Sequence, residues 1–395
     1  MWINRAYKVE LDPNNVQRTT LLKHAGVARF TYNWGLIQHK EAYEQTGTSP
    51  NNAALHKQLV SLKKTDFPWM YEVSKCAPQG ALFDLDDAFK NFFRGNAKYP
   101  KFKSRKNGIG SFQLFGHIKV FHNAIQLPRN GRIRLKEKGY IPLKPAYIYR
   151  AIISERMGRW FVSLHVKEEI SDPINTGPVV GIDMGISTLA TVSDGTVIEN
   201  PRALNRFERK KKRLQRSLSR KKKDSKNRAD AKMRLAKCHF RIANTRRDAQ
   251  HKATTMLTKT NSVIGVESLN LNGLIMNRSI AGQLKDASIG EFLRQIQYKA
   301  KWYGATVVKA EPFYPSTKKC SACGQMKVEV PLSERIYTCD NCGFKADRDI
   351  NAALNLASVA ASWADTQNAC KRGEVHANMQ VLLHEAGTEH CLGGS

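Results

Sequence analysis

The sequence predicts an α+β protein of several domains, in which a β-rich domain with a helical insertion precedes an α/β domain. Two patterns indicate this division. Strand-like alternation at the N-terminus returns between about residues 110 and 170, and strands alternate with helices from residue 179 onward. A four-cysteine pattern late in the chain adds a small metal-binding insertion. The length of 395 residues agrees with roughly two or three domains.

The composition is strongly basic. Lysine and arginine number 64 against 34 aspartate and glutamate residues, and the formal net charge is +30 at pH 7. Such an excess indicates a polyanionic partner, either nucleic acid or an anionic membrane surface. The membrane is the weaker alternative, because the chain has no run of about 18 apolar residues and its N-terminus lacks the apolar core of a signal peptide. We therefore expect no membrane partner. The cysteine usage fits a reducing cytosol better than secretion.

Strands separated by helices are predicted in the first 170 residues. Residues 3–11 alternate as a strand, and helices follow from residue 12 to about residue 95. Strands return from about residue 110. The clearest covers residues 160–166, where the even-numbered residues are apolar, and it follows a turn at Met157-Gly158. The N-terminal strand is therefore expected to join the later strands in one sheet.

A linker containing Pro173 and Pro178 leads into the predicted α/β domain. Basic helices are predicted over residues 202–259, and an amphipathic helix over 289–303 is ended by Gly304. The predicted strands are 179–183, 189–193, 197–199, 263–266 and 305–310. This β-β-β-α-β-α-β order is the ribonuclease-H-like pattern. Hydrophobic periodicity fades after residue 357, so residues 358–395 are expected to form a disordered tail.

Acidic residues stand where a metal site can form. Asp183 and Glu267 each follow an apolar strand that would be central in the sheet, and Asp347 and Asp349 begin a helical segment. Each acid alone is most simply a turn, strand-end or helix-cap residue. Brought together, however, such carboxylates would repel one another without cations, and all-oxygen sites favour Mg²⁺ or Mn²⁺. The residues alone leave Asp347 and Asp349 as alternatives for the third position.

A four-cysteine motif lies between the last predicted strand and the third acid. Its spacing is C-x2-C-x15-C-x2-C, which is typical of a tetrahedral zinc site. The predicted ligands are Cys320, Cys323, Cys339 and Cys342. Four thiolates close the coordination sphere of the metal, so we predict a structural Zn²⁺ rather than a catalytic one.

The densest positive charge lies between residues 201 and 252, which contain 21 lysines and arginines against 4 acidic residues. A solvated helix face usually mixes both signs, so a polyanion is expected to bind here. The residues predicted to contact nucleic acid are Lys101, Lys103, Arg209, Lys210, Lys211, Lys212, Arg213, Arg220, Lys221, Lys222, Lys223 and Arg348. For Arg348 an ion pair on the helix surface is an equal alternative. Most aromatic rings near residues 30 and 100 are expected in the core rather than stacked on bases.

Taken together, these motifs resemble the TnpB family of insertion-sequence proteins, which are relatives of type V CRISPR effectors. The resemblance covers about residues 1–357, and it is carried by residues 181–185, 265–269, 347–355 and the cysteine ribbon. It implies a β-barrel wedge domain with an inserted helical recognition domain, then a RuvC nuclease domain with an inserted target-nucleic-acid-binding zinc ribbon. The corresponding limits are 1–11 and 107–172 for the wedge, 12–106 for the recognition domain, 176–317 and 344–357 for RuvC, and 318–343 for the ribbon.

The resemblance also implies an RNA-guided DNA endonuclease, monomeric within its complex with a guide RNA from the transposon end. Guide pairing would select double-stranded target DNA next to a short motif that the protein reads. Family members carry the third acid in Asp-x-Asn, which favours Asp349. Asp183, Glu267 and Asp349 would then hold two Mg²⁺ or Mn²⁺ ions for phosphodiester hydrolysis.

A prokaryotic cytoplasmic protein, associated with the nucleoid when bound to DNA, is expected. Two alternatives stay open: a ribonuclease-H-like transposase that acts without a guide, and a nuclease-inactive RNA-guided DNA binder.

Overall fold

The computed structural model describes residues 1–143, 145, 147–277, 279–331 and 333–367. The chain forms two compact units, Met1–Ser171 and a second unit that begins at Asp172. Each unit is described by itself below.

Unit 1 is built on a seven-stranded antiparallel sheet in the order β2-β6-β7-β1-β5-β4-β3. Its strands are β1 (Trp2–Asp12), β2 (Ser111–Leu114), β3 (Lys119–Phe121), β4 (Ala124–Leu127), β5 (Gly131–Leu135), β6 (Tyr147–Arg156) and β7 (Arg159–Glu169). The expected joining of the N-terminal strand to later strands is confirmed, because β1 pairs with β7 from Trp2 opposite Glu169 to Leu11 opposite Trp160. Strands β6 and β7 meet at Met157 and Gly158, whose φ angles of 59° and 77° are those of a tight two-residue hairpin turn.

Three helices are inserted between β1 and β2: α1 (Asn15–Thr46), α2 (Asn52–Thr65) and α3 (Cys76–Phe93). Helix α1 begins where the Asn14 and Gln17 side chains accept each other's backbone N–H groups, which satisfies two otherwise unpaired donors. Apolar residues of α1 and α3 pack with residues of the sheet in one core. The predicted helical insertion is therefore present and shares its core with the strands.

The predicted closure of this sheet into a barrel stays a prediction. Strands β2 and β3 lie at the two edges of the sheet, and no ladder between them joins the described edges. Helix α3 instead covers β2, and a Cβ added at Gly80 would stand 2.8 Å from the Cβ of Gln113. The helical insertion thus packs closely against β2.

Unit 2 contains a five-stranded sheet in the order β10-β9-β8-β11-β12. Its strands are β8 (Val179–Asp183), β9 (Thr188–Val192), β10 (Val197–Glu199), β11 (Val263–Val266) and β12 (Thr306–Lys309). Its helices are α4 (Ala203–Arg206), α5 (Glu208–Ser219), α6 (Lys226–Thr260), α7 (Leu271–Met276), α8 (Ala281–Ala287), α9 (Ile289–Tyr303) and α10 (residues 348–367). The predicted order of strands and helices is confirmed, and α9 ends as expected at Gly304, with φ 72°.

Helix α10 lies directly on the two central strands of this sheet. Gly181 of β8 and Gly265 of β11 are opposite each other in the parallel ladder. A Cβ at Gly181 would overlap the carbonyl oxygen of Ala353 and the amide nitrogen of Ala357, and a Cβ at Gly265 would overlap the Leu356 carbonyl oxygen. The paired glycines therefore let the backbone of α10 approach the backbone of the sheet.

The expectation of a disordered tail from residue 358 is wrong for residues 358–367, which continue α10. Ala360 is fully buried, and its Cβ lies 3.1 Å from the position that a Cβ on Gly265 would take. Packing on the sheet extends the helix beyond the point where its hydrophobic periodicity becomes weak. Residues 368–395 of the predicted tail lie outside the described residues.

We predict that Gly181→Ala destabilises the protein by about 3 kcal/mol or more, because the added methyl group collides with backbone atoms that no side-chain rotation can move. The free energy of unfolding in urea measures the effect. The matched control is Gly282→Ala in α8, where a Cβ meets nothing within 4 Å. This control should be neutral or stabilising by up to about 1 kcal/mol, and equal losses in both variants would contradict the close packing of α10.

Candidate functional site

The predicted acids lie at the carboxyl ends of the central strands in the sheet of unit 2. Strands β8 and β11 are parallel with Ile182 opposite Val266, so Asp183 and Glu267 follow at neighbouring strand ends, about 4.8 Å apart across the ladder. Asp349 lies in the first turn of α10, one turn before Ala353, the residue whose carbonyl contacts Gly181. The fold therefore gathers all three predicted residues.

The carboxylates interact electrostatically. Desolvation is the main cause of a raised pKa at Asp183, and the charges of Glu267 and Asp349 add to it while Arg348 opposes them, so that the pKa reaches about 7. The oxygens are nonetheless less tightly grouped than the ribbon sulfurs. Within the described parts of the chain, a set of at least three potential ligand atoms within 4.8 Å of one another is found at the four cysteines. The acid oxygens are thus spaced more widely than the ribbon sulfurs.

Asp347, the alternative third acid, caps helix α10. Its Oδ1 accepts hydrogen bonds from the backbone N–H groups of Asp349 at 2.9 Å and Ile350 at 3.2 Å, as an N-cap carboxylate does. The Asp349 carboxylate instead lies 3.5 Å from Arg348 Nη2 and 3.9 Å from Arg335 Nη1. Cap formation by Asp347 leaves Asp349 as the better candidate ligand. Arg348 thus makes an ion pair with Asp349, and its predicted contact with phosphate stays a prediction.

Ser316 is a site residue that sequence reasoning missed. Its side chain is buried, and its Oγ donates a hydrogen bond to Oε1 of Glu267. Asn355 of α10 donates from Nδ2 to the Ser316 carbonyl at 2.8 Å. The second acid is therefore oriented by a residue that the third acid's helix holds in place.

Two asparagines of α10 also hold the chain where it enters the cysteine ribbon. Asn351 and Asn355 both donate to the carbonyl of Lys319, at 2.8 and 2.7 Å, and Asn351 Oδ1 accepts from the Ser321 N–H at 3.0 Å. Both are buried and lie four residues apart, hence on one face of the helix. The signal in the sequence that could have identified these residues is the pair of asparagines, four residues apart, directly after the third acid.

The four cysteines form the predicted cluster. Their sulfurs lie within 4.8 Å of one another, with Cys320 and Cys342 3.8 Å apart and Cys323 and Cys339 3.6 Å apart. Gly324 and Gly343 follow the two pairs with φ angles of 77° and 73°, and each N–H returns to the carbonyl of the first cysteine of its pair. Four convergent sulfurs match the donor set of a closed tetrahedral metal site.

The ribbon leads directly into the acid-bearing helix. Its two strands, β13 (Ile336–Thr338) and β14 (Lys345–Asp347), are antiparallel. The second of them ends at Asp347, the cap of α10. Asp349 is therefore only two residues along the chain from the end of the second ribbon strand, so an ordered ribbon restrains its position.

The basic segment of unit 2 forms α5 and α6. The apolar side of α5 packs through Leu214 against a core that contains Cys238 and Ile242 of α6. The opposite side of α5 lines an open cleft with a volume of about 620 Å³. Its lining residues are Arg209, Lys212, Arg213, Arg216, Ser217, Arg220 and Lys221. Lys210, Lys222 and Lys223 are also exposed, and Lys211 is half-buried. This exposure agrees with the predicted nucleic-acid surface, which stays a prediction.

The predicted contacts in unit 1 have different surroundings. Lys101 is exposed. The ammonium of Lys103 lies 3.8 Å from the centroid of the Tyr32 ring and 3.9 Å from Asp84, so it already has intramolecular partners. The Tyr32 ring is buried, as expected for a core aromatic, whereas Phe93 is 79% exposed.

Three family models match the chain. They are described as probable transposase (OrfB of IS605) over residues 162–278, as the TNB domain of Cas12f1-like proteins over 290–356, and as a helix-turn-helix domain over 1–48. The last stretch consists of β1 and the single long helix α1 in the structure. In the described part of the chain, no helix is long and apolar enough to cross a membrane.

Two relatives align over most of the chain. A "Putative RNA-guided DNA endonuclease" of Streptomyces pristinaespiralis is 34% identical over 91% of this chain and 90% of its own. The protein InsQ of Escherichia coli K12, described in the same words, is 32% identical over 89% of this chain and 91% of its own. A solved Cas12f1–sgRNA–target DNA complex aligns with 17% identity over 90% of this chain and 99% of that chain, with a TM-score of 0.35, which is too low to establish a shared fold.

The sheet, the strand-end acids, the cysteine ribbon and the family models together define a protein of the class encoded by IS605-type insertion sequences. Identity of 34% over nine-tenths of both chains then decides the family. The chain belongs to the TnpB family.

The raised pKa of Asp183 predicts a pH-dependent stability. In the folded protein Asp183 keeps its proton up to about pH 7, whereas the ordinary value is 3.8. Without divalent cations its contribution to stability is therefore intact below about pH 4 and is lost as the pH rises to about 7, by at most about 4 kcal/mol. Asp183→Asn should remove this loss, so the metal-free variant should be more stable than the wild type at pH 8 and similar at pH 4.5. Urea unfolding at both pH values measures the difference.

The wild type and Asp183→Asn also test whether Asp183 belongs to a cation site or whether the substitution changes stability for another reason. Mg²⁺ or Mn²⁺ should raise the melting temperature of the wild type at pH 8, because a ligand that binds the folded state stabilises it. The variant should respond much less. A stability difference that does not change between pH 4.5 and 8 would contradict the assignment of the titrating group.

Proposed function

We propose that this chain is an RNA-guided DNA endonuclease that cleaves double-stranded DNA complementary to a guide RNA from the transposon end. The observation that carries the proposal is the convergence of Asp183, Glu267 and Asp349 at neighbouring strand ends and the start of α10. The relatives named as RNA-guided DNA endonucleases, which align over nine-tenths of the chain, support the choice of reaction.

The acids fit divalent cations such as Mg²⁺ or Mn²⁺. Asp183 is largely desolvated and is repelled by Glu267 and Asp349, and this is the unfavourable charge that cations would neutralise. Ions held by these residues would supply the Lewis-acid chemistry of phosphodiester hydrolysis, namely activation of water and stabilisation of the leaving oxygen. The chain's own part is to hold the acids: β8 and β11 fix two of them, the Ser316 hydroxyl orients Glu267, and the Asp347 cap fixes the start of the helix that carries Asp349.

The other domains would serve recognition. In this proposal unit 1 supplies the wedge (1–11 and 107–172) and recognition (12–106) domains. Unit 2 supplies RuvC (176–317 and 344–357) and the ribbon (318–343) with a structural Zn²⁺. Phosphates of the guide or target would lie on the basic side of α5, because dense positive charge with few acids beside it binds nucleic-acid backbones with little sequence preference. The protein would act as a monomer within its RNA complex in the prokaryotic cytoplasm, on the nucleoid when bound to DNA.

A guide-independent transposase is the second candidate, because one matching family model is described as a probable transposase. Protein purified from cells that carry its own locus distinguishes the two. One structured RNA that ends in a variable stretch of about 20 nucleotides, a guide's pairing length, supports the proposal. A random mixture of cellular RNA, together with strand joining by the purified protein, would support the transposase.

We predict that Asp183→Ala abolishes cutting of a DNA that matches the guide and leaves RNA binding unchanged. The loss should exceed about 1,000-fold, since each 1.4 kcal/mol of lost transition-state stabilisation is a factor of ten. Cleavage of a labelled duplex and RNA binding are measured on the same preparations. Asp347→Asn keeps the helix cap and is the control that should retain cutting. Cutting by Asp183→Ala would refute the site, and no cutting by the wild-type complex would favour the nuclease-inactive binder.

Removal of one ribbon thiol tests the metal assignment independently of activity. Cys339→Ser should lower the zinc content from about one ion per chain to nearly none, because three thiolates leave the tetrahedral site open. Elemental analysis of the purified protein measures the content. Cys238→Ala, which removes a buried thiol outside the cluster, should keep its zinc. Equal zinc in both variants would contradict the site.

A further inference from the structure

Phe313 is an aromatic residue held outward beside the acid site. Its side chain is 98% exposed. Its φ angle is 65°, in the left-handed region that bulky residues rarely adopt. A residue that combines a strained backbone with full exposure contributes nothing to the core. Such outliers persist where surrounding structure imposes them, and they concentrate at functional sites.

The loop that carries Phe313 is attached at both ends to the segment that bears Glu267. Before the loop, the Ala310 N–H donates to the Val266 carbonyl at 2.8 Å, and Ser268 Oγ donates to the Ala310 carbonyl at 2.6 Å. After the loop, Ser316 donates to the Glu267 carboxylate. Phe313 is three residues from each attachment, so its Cα lies within about 11 Å of both.

The loop is also stiff. Pro312 and Pro315 flank Phe313 and Tyr314 and fix their own φ angles. The Tyr314 N–H donates to the Glu311 carbonyl at 3.1 Å, and the Ser316 N–H donates to the Tyr314 carbonyl at 2.9 Å. The direction in which the Phe313 side chain leaves the backbone is therefore set by the loop and not by contacts of the ring.

We propose that Phe313 stacks on an unpaired base of the DNA strand that enters the acid site, and so positions the strand for cleavage. This rests on the proposed nuclease function. A phosphodiester at the acids places neighbouring bases within reach of the ring. Aromatic rings stack on every base type, as a guided enzyme with many targets needs. Lys309 and Lys318, on either side of the loop, are exposed and add positive charge for the strand's phosphates.

The test uses the full chain in complex with its RNA. Phe313→Ala should lower the second-order rate constant for target cutting by about 5- to 100-fold, the loss that corresponds to one base stack, and Phe313→Trp should retain it. Ile174→Ala, at a linker residue that is 90% exposed, is the matched control and should cut normally. A second readout uses proteins that carry Asp183→Asn and DNA with 2-aminopurine next to the cut position. The fluorescence of 2-aminopurine should be quenched when the DNA binds the protein that keeps Phe313, and it should be brighter when the DNA binds the protein with Phe313→Ala.

Phe313→Gly separates a binding role from a structural one. Glycine relieves the left-handed strain, so this variant should melt at the same or a higher temperature and still cut as poorly as Phe313→Ala. If the wild type cuts and both variants cut as fast as the wild type, the stacking proposal is overturned while the nuclease function stands. If the wild-type complex cuts no guide-matched DNA, the function and the stacking proposal fall together.

Discussion

The contact between helix α10 and the paired glycines of the central strands is the constraint on which the acid site depends. Gly181 and Gly265 are opposite each other in one ladder, and the helix backbone occupies the space that their side chains would need. Backbone atoms cannot rotate away as side chains can, so this packing fixes the height and the position of the helix on the sheet. Asp349 precedes the contact by one turn, and its distance from Asp183 and Glu267 follows from that packing.

The cysteine ribbon belongs to the same construction. Between β12 and α10 the chain leaves the sheet, forms the cysteine cluster and returns through β14 to the cap of α10. The asparagines of α10 hold the entry to the ribbon, and Ser316, on that entry, holds Glu267. A metal bound by the four thiols would order both the entry and the return. A structural metal ion can in this way stabilise catalytic geometry without touching the substrate.

The sequence predicted the elements of unit 2 better than their contacts. Local patterns decide strands and caps, so β8, β11 and α9 were found almost to the residue, and the strand-end acids with them. Gly181 and Gly265 were visible in their motifs, but a close helix contact with a glycine leaves no periodic signal. Ser316 acts through a partner 49 residues away, and only the folded chain brings such residues together. The barrel prediction came from resemblance, and local pattern does not determine whether an edge strand pairs with another strand or is covered by a helix.

Two unfavourable charge distributions in unit 2 point to the same conclusion. The desolvated Asp183 lies beside two further acids, and α5 carries basic side chains along a solvent-facing side with few acids to pair them. A fold selected only for stability would neutralise both, because like charges weaken the compact state. Each is relieved by a different ligand, cations at the acids and a polyanion at α5. The intramolecular structure therefore favours a protein that reaches its most stable state only when both ligands are bound. Metal-dependent cleavage would then be linked to nucleic-acid binding by charge.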